Sequence, residues 1–267
     1  ILNARIIILL SFLFYASLQM NLNLSIYRDI WIYMLYLLAT ILTIRIIFYR
    51  KRKLLYILLL IPVLWLLGGF RRYALLAFIL ALLIYYSYNI IIRLKRPVIF
   101  LIIGLVLFGV YYTYFMDYII PVVNMSLRSA LNYRLSFLTL YSGGSQMWIS
   151  LEQPNFILFF INYIHSYIGN FIGPLPWHIS SKATMLVFII ETIPMLMILA
   201  YLWKKRHLIT PVQKYMFLHA LVWISLIAVS NDNVGTATRL RPVAWVPILI
   251  VFAAVYAKGR YVGRYRV

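Results

Sequence analysis

The sequence contains no cysteine, and only 5 of its 267 residues are Asp or Glu. The lack of cysteine excludes disulfide frameworks, thiol catalysis and cysteine-ligated metal sites. Charged residues make up 11% of the chain and hydrophobic residues 65%, whereas a typical soluble domain has about 25% charged residues. The chain therefore lacks the polar surface that an ordinary soluble fold requires.

Almost all of the charge that is present is positive, with 25 Lys and Arg and a net charge of +20. A similar excess is found in nucleic-acid-binding proteins. Here most of it occurs in short clusters between apolar runs, where Lys and Arg set the orientation of membrane helices. This distribution argues against a nucleic-acid partner and favours membrane lipid.

Apolar segments that are long enough to cross about 30 Å of hydrocarbon follow one another along the chain. Eight spans are predicted, at residues 5–20, 30–48, 54–70, 73–92, 97–120, 183–203, 212–230 and 243–257. No long polar linker divides them, which predicts one membrane domain over residues 1–267. The expected fold class is all-α, a polytopic bundle of about eight transmembrane helices.

Strict alternation of these spans sorts the positive residues onto two sides of the membrane. If the RKRK cluster at 50–53 is cytoplasmic, 17 of the 25 Lys and Arg lie on that side and 8 lie outside. This bias agrees with the positive-inside rule and predicts a multi-pass protein in that orientation. The eight outer residues are Arg28, Arg71, Arg72, Arg128, Arg134, Lys182, Arg239 and Arg241.

Seven of these eight outer cations are arginines, which the orientation rule does not explain. A guanidinium group binds phosphate through two parallel hydrogen bonds, so phosphate recognition is one explanation. Anchoring to anionic lipid headgroups is the other. For the group as a whole we favour phosphate binding, and the candidate ligands are Arg71, Arg72, Arg128, Arg134, Arg239 and Arg241.

The longest segment between spans, residues 121–182, is predicted to be an external, helical loop. Residues 126–141 can form an amphipathic helix with leucines on one face. The aromatic stretch at 156–168 is short for a span, and we interpret it as an interfacial helix, with a re-entrant segment as the alternative. The GPLPWH element at 173–178 predicts an extended, rigid turn.

Three short motifs in this region form a recognisable combination. They are the GPLPW element, Glu191 inside the following span, and an external turn of pattern N-x-G-T-x-x-R-x-R that runs from Asn233 to Arg241. Together they resemble the bacterial membrane polysaccharide polymerases of the O-antigen polymerase and ligase group. The GGFRRY turn at 68–73 is also similar to an arginine-bearing turn of that group. The resemblance implies a GT-C-like membrane fold.

What the resemblance implies is a glycosyltransferase on the outer face of the bacterial cytoplasmic (inner) membrane. It would polymerise sugar repeat units carried by undecaprenyl pyrophosphate into a polysaccharide of the cell envelope. Its substrate would be a lipid-linked oligosaccharide, and other polysaccharide-assembly proteins are expected partners. The arginines would stabilise the departing pyrophosphate. The sequence has no nucleotide-binding loop, dinucleotide motif or carboxylate cluster, so the expected mechanism uses no metal and no other cofactor.

The acceptor hydroxyl would lose a proton in this transfer, and we expect the base on the outer side of the membrane. The candidates are Glu152, His178, His165 and Asp232. Glu152 and His178 rank equally, ahead of His165, because histidine is the commonest base and Glu152 is the only carboxylate in the long loop. Glu191 is costly to bury as a charge, so it is expected to pair with an outer arginine or to stay protonated.

Three other functions fit part of the pattern. A ligase would transfer a finished glycan to another acceptor. A transporter would carry ionisable residues through the centre of the bundle, whereas the predicted spans hold few. A non-catalytic membrane subunit of a polysaccharide export system would tolerate the loss of the outer arginines.

Overall fold

The structure, a computed structural model, describes residues 2–23, 29–49, 51–93, 97–140 and 145–264. These residues form helices joined by turns and by longer non-helical stretches such as 115–126 and 145–155, with no strand among them. The first six helices are α1 (Leu2–Leu13), α2 (Ala16–Asn23), α3 (Asp29–Ile44), α4 (Lys53–Phe70), α5 (Arg72–Arg93) and α6 (Pro97–Tyr114). The next seven are α7 (Leu127–Leu140), α8 (Phe156–Ile172), α9 (Lys182–Val187), α10 (Ile193–Lys204), α11 (Pro211–Ser230), α12 (Val234–Leu240) and α13 (Pro242–Arg264). The prediction of an all-helical fold is confirmed.

Five helices in the described ranges are long and apolar enough to cross a membrane. They are Asp29–Tyr49, Lys53–Phe70, Lys182–Lys204, Pro211–Ser230 and Pro242–Gly259, and each coincides with a predicted span. Shorter apolar helices lie at Ala4–Leu13, Arg72–Tyr88, Ile102–Tyr114 and Phe156–Ile172. The fold is thus helical, and five of its helices have the length and composition of membrane spans.

The predicted first span at 5–20 is not one continuous helix, because α1 ends at Leu13 and α2 begins at Ala16. The reason is a polar contact inside the bundle. The backbone N–H of Ser17 donates a hydrogen bond to the buried carboxylate of Glu191 (2.5 Å). The N–H groups at the start of a helix have no partner within it, so a carboxylate at this point favours a new helix start over a continuous span.

Aromatic and small side chains build the main core, where α3, α5, α11 and α13 meet. Tyr36, Trp223 and Trp245 are almost completely buried, and the ring centroids of Tyr36 and Trp223 are 5.0 Å apart. Small residues allow membrane helices to approach closely, which packing between their backbones requires. The buried alanines of these four helices are Ala39, Ala74, Ala77, Ala81, Ala220, Ala228, Ala244 and Ala253.

A second core joins α6, α7 and α8. Leu131 of α7 and Phe159 of α8 are buried in it, and the ring of Phe159 lies 4.4 Å from that of Tyr112 in α6. The amphipathic helix predicted at 126–141 is confirmed as α7. This core fixes the long segment between α6 and α9 against the bundle.

Helix α8 packs along α11 and does not lie apart from the bundle. Tyr163 donates to the carbonyl of Ser225 (3.0 Å), and Ser166 donates to that of Ala228 (2.8 Å), so the two helices run in the same direction. Since α11 is a candidate span, this contact favours the re-entrant interpretation of 156–168 over the interfacial one. A stripe of isoleucines on α8 stays exposed, at Ile157, Ile161, Ile164 and Ile168.

Candidate functional site

Every ion pair in the described part of the chain uses one of the arginines predicted to bind phosphate. The carboxylate partners are Asp29 for both Arg71 and Arg239, Asp117 for Arg128, Asp232 for Arg134, and Glu191 for Arg241. The sixth candidate, Arg72, is exposed and forms no ion pair with a described residue. Four of the chain's five carboxylates thus neutralise arginines that the sequence suggested for a ligand.

Arg134 is buried, and its guanidinium N–H groups are all used within the protein. It donates to Ile149 O (3.0 and 3.2 Å), Ser166 Oγ (3.0 Å), Ala228 O (2.9 Å), Asn231 O (2.6 Å) and Asp232 Oδ1. A guanidinium has five N–H donors, so none is left for a ligand. Arg134 therefore ties α7 to α8 and to the end of α11 and belongs to the framework of the site.

Asp232, the ion-pair partner of Arg134, also contacts the segment before α8. Its carboxylate also accepts the backbone N–H groups of Trp148 (3.0 Å) and Ile149 (3.1 Å), so both oxygens are engaged within the protein and the group is buried. Trp148 has a φ of 58°, in the left-handed region that bulky residues rarely adopt, and its side chain is 72% exposed. The buried pair thus holds an exposed tryptophan on a strained backbone, a combination typical of binding sites.

Arg241 pairs with Glu191, which confirms one of the two expectations for that carboxylate. Glu191 lies in the π-helical turn Phe188–Thr192, between α9 and α10. Such turns frequently occur at functional sites. Arg241 also donates to the carbonyl of Gly173, the first residue of the GPLPWH element. The pair therefore connects this element, the start of α2 and the start of α13.

Asp29, at the start of α3, brings together two arginines from distant segments. Nη2 of Arg71 lies 3.7 Å from Oδ1 of Asp29, and Nε of Arg239 lies 3.0 Å from Oδ2. The side chains of Arg71 and Arg239 are 24% and 35% exposed, while that of Asp29 is 4% exposed. Two positive charges therefore share one carboxylate at a partly exposed position. We call the end of the bundle that carries Asp29, Arg71 and Arg239 the loop end. Sequence reasoning missed Asp29, and its only signal was a lone carboxylate beside the predicted start of a span.

Arg72 follows Arg71 and borders a groove between α4, α5 and the segment after α6. The groove has a volume of about 580 Å³. Its lining is Trp65, Leu66, Gly68, Gly69, Phe70, Arg72, Leu75 and Val122. One guanidinium group thus stands at an otherwise apolar groove.

Arg128 lies apart from these residues. Its Nε is 2.6 Å from Oδ1 of Asp117, and both side chains are exposed. This hydrogen bond, and to a smaller extent the charge of nearby Glu152, raises the pKa of Arg128. Glu152 is itself exposed and forms no ion pair with any described residue. It is the candidate base with the most accessible carboxylate.

His165 and His178 meet through a network of ring hydrogen bonds. Trp177 Nε1–H donates to Nε2 of His165 (2.8 Å), and Nε2 of His178 lies 3.2 Å from the same nitrogen. The Leu175 N–H donates to Nδ1 of His178 (3.4 Å). These contacts require a neutral His178 with its proton on Nε2 and a neutral His165 with its proton on Nδ1. The basic nitrogen of each ring is therefore already occupied.

Burial lowers the pKa of both histidines. The pKa of His178 falls to about 4, because burial and then the neighbouring His165 disfavour its charged form. The pKa of His165 is also lowered, again mainly by burial. Both rings are neutral near pH 7.

The predicted turn from Asn233 to Arg241 is helical over Val234–Leu240. The side chain of Asn233 accepts the N–H of Thr236 (3.0 Å) and so begins α12. Arg239 thus stands on a short helix, and Arg241 follows its end. Among the residues described, no three His, Asp or Glu side chains are grouped closely enough to hold a metal ion.

No protein-family model matches the chain, and no curated protein sequence or solved structure shows significant similarity to it. The resemblance to polysaccharide polymerases therefore depends on the short motifs alone and stays a prediction.

Proposed function

We propose that the chain is a membrane glycosyltransferase that polymerises sugar repeat units carried by undecaprenyl pyrophosphate. In this proposal the loop end faces the outside of the cytoplasmic membrane. The observation that carries the proposal is the meeting of Arg71 and Arg239 at Asp29, with Arg72 next to Arg71 in the sequence. Arg71 and Arg239 come from separate segments and leave a positive excess at a partly exposed position.

A diphosphate is the kind of ligand that this excess suits. One carboxylate neutralises only one of the two guanidinium groups that contact it, so Arg71 and Arg239 together retain one net positive charge. Arg72 adds another, and the apolar groove that it borders would take the isoprenoid chain of a lipid carrier. Preorganised guanidinium groups stabilise the negative charge that develops on a departing diphosphate.

The six candidate arginines then divide into two roles. We assign diphosphate binding to Arg71, Arg72 and Arg239. Arg134 and Arg241 are buried and joined to carboxylates, so we assign them to holding the site together. Arg128 pairs with Asp117 on the surface and has no assigned role.

In the reaction, the hydroxyl of the acceptor sugar attacks the anomeric carbon of the donor glycan. The new glycosidic bond forms as the bond from that carbon to the diphosphate oxygen breaks, and the hydroxyl proton passes to a base. We assign the base to Glu152, because its carboxylate is exposed, whereas the basic nitrogens of His165 and His178 already accept hydrogen bonds. Trp148, close to Glu152 in the same segment, offers an exposed ring for stacking on a sugar.

The test is polymer synthesis by purified protein in vesicles supplied with labelled lipid-linked repeat units. We expect Arg71→Ala, Arg72→Ala and Arg239→Ala to abolish polymer while the protein still inserts normally. Arg206→Ala, which removes an exposed arginine from another cluster, is the matched control and should retain activity.

Lysine variants separate binding from folding. Arg71→Lys and Arg239→Lys keep the charge beside Asp29 but lose the bidentate fork, so we expect a stable protein with impaired synthesis. A ladder of product lengths identifies a polymerase, while a single addition identifies a ligase. Normal polymer from all three alanine variants would overturn the proposed site.

A further inference from the structure

A second group of positive charges lies at the other end of α3, and the proposed glycosyl transfer does not use it. Helix α3 continues through a π-helical turn, Arg45–Tyr49. Asp29–Tyr49 is a candidate span of 21 residues, or roughly 30 Å at 1.5 Å per residue. Since this length matches the hydrocarbon thickness, a helix that crosses the membrane here would have its far end at the depth of the opposite layer of lipid headgroups.

At this far end the chain forms a groove of about 460 Å³. We call it the basic groove, and its lining residues are Arg45, Tyr49, Lys51, Arg52 and Tyr56. The side chains of the three cations are exposed. The guanidinium carbon of Arg45 lies 5.0 Å from the centre of the Tyr49 ring, and this cation–π contact orients it.

The described part of the chain supplies no counterion for this groove. Four of the five carboxylates pair with arginines elsewhere, and the fifth, Glu152, lies in the segment before α8. None of the three cations of the basic groove forms an ion pair with a described residue. Like charges held within one groove repel each other, so an anion from outside the chain would stabilise the arrangement.

The surface next to the basic groove shows what kind of anion fits. Helix α4 begins immediately after it and exposes apolar side chains along its length, among them Leu54 at 72%, Leu58 at 56% and Ile61 at 60% exposure. A ligand with an anionic head and apolar chains would contact both surfaces. Tyr49 and Tyr56 are of the type that is enriched at headgroup depth.

We propose that the basic groove binds the phosphate headgroup of an anionic phospholipid, whose acyl chains lie along α4. Phosphate oxygens accept hydrogen bonds from the guanidinium groups of Arg45 and Arg52, and the Lys51 ammonium group adds charge. A free phosphate ion would use the same cations but gain nothing from α4.

The test is titration of the purified full chain in detergent with dioleoyl phosphatidylglycerol, followed by thermal unfolding and by native mass spectrometry of bound lipid. For Arg45→Gln/Arg52→Gln, we expect the half-maximal lipid concentration to rise about thirtyfold. The matched control, Lys204→Gln/Arg206→Gln, removes two positive charges from another exposed cluster and should bind as the wild type does. Arg45→Lys/Arg52→Lys keeps the charge without the forks, and we expect intermediate affinity.

Two further ligands distinguish the source of the phosphate. Dioleoyl phosphatidylcholine, which carries no net charge, should stabilise the protein less than phosphatidylglycerol, and inorganic phosphate should not replace the lipid. Equal lipid affinity in the groove variant and the control variant would refute the site. Stabilisation by inorganic phosphate equal to that by phosphatidylglycerol would refute the assignment to a lipid.

Discussion

Arg241 and Glu191 lie 50 positions apart in the sequence and form an ion pair that is closed to solvent, with side chains 0% and 2% exposed. Glu191 also accepts the N–H of Ser17, and Arg241 donates to Gly173. One pair therefore connects the start of α2, the π-helical turn, the segment before α9 and the start of α13. Removing either partner leaves the other as an uncompensated buried charge.

We therefore expect Arg241→Ala to lower the free energy of unfolding by about 3–5 kcal/mol. Glu191→Ala should have a similar effect. The double variant Glu191→Met/Arg241→Met should recover part of the loss, because neither side chain then needs a charged partner. The free energy of unfolding in detergent, followed by circular dichroism, measures all three. A wild-type value for Arg241→Ala would contradict the buried pair.

Helix α7 offers an internal comparison between a buried and an exposed arginine. Arg134 donates hydrogen bonds to five groups inside the protein, so Arg134→Ala should lower the free energy of unfolding by about 3–5 kcal/mol. Arg128 pairs with Asp117 in solvent, where ion pairs contribute little, so Arg128→Ala should leave stability almost unchanged. Denaturation of both variants under one condition makes the comparison. Equal losses in the free energy of unfolding would mean that the buried contacts of Arg134 contribute no more to stability than the exposed ion pair of Arg128.

The two neutral histidines predict a dependence of stability on pH. Their pKa values in the folded protein lie below the ordinary 6.5, and that of His178 is about 4. Between these values the unfolded chain binds more protons than the folded protein, so stability is complete above pH 6.5 and falls as the pH drops towards 4. We expect a loss on the order of 1 kcal/mol between pH 7.5 and 5.5.

Unfolding midpoints at these two pH values measure the effect. Replacing both residues, in His165→Asn/His178→Asn, should reduce the dependence on pH. His207→Asn, at an exposed position, is the control and should keep it. An unchanged pH dependence in the double variant would assign the effect to other groups.

The left-handed backbone of Trp148 predicts an unusual order of stability. Glycine adopts a positive φ without steric cost, whereas alanine does not. Because the Trp148 side chain is mostly exposed, its loss costs little packing, and Trp148→Gly should be more stable than Trp148→Ala by about 1 kcal/mol. Asn124, with a φ of 52°, provides the control, since asparagine tolerates this region. Asn124→Gly should therefore raise the free energy of unfolding by less than the difference between the two Trp148 variants. If Trp148→Ala proves the more stable variant, the backbone is not strained.

The long apolar runs predicted five helices correctly because their signal is local. An apolar stretch such as 212–230 must satisfy its own backbone hydrogen bonds in lipid, so it forms a helix whatever its neighbours are. The break of the 5–20 segment was not predictable in the same way, because its cause is Glu191, far along the chain.

Among the candidate site residues, the sequence indicated residue types but not roles. It singled out arginines, and five of the six form ion pairs in the structure. It did not indicate that Arg134 and Arg241 are buried while Arg72 is exposed, because burial depends on how α7, α8 and α13 pack. Asp29, the shared partner of Arg71 and Arg239, gave almost no signal.

The sequence by itself determined the helical fold class and the positions of five long apolar helices, because an apolar stretch must satisfy its own backbone hydrogen bonds. Only the tertiary structure decided which carboxylate neutralises which arginine. The reason is that the energy of an ion pair depends on distance and burial, and both are set where distant helices meet. The chain has only 5 acidic residues for 25 Lys and Arg, so most positive side chains have no carboxylate partner. An arginine without such a partner is left to contact lipid, water or a ligand.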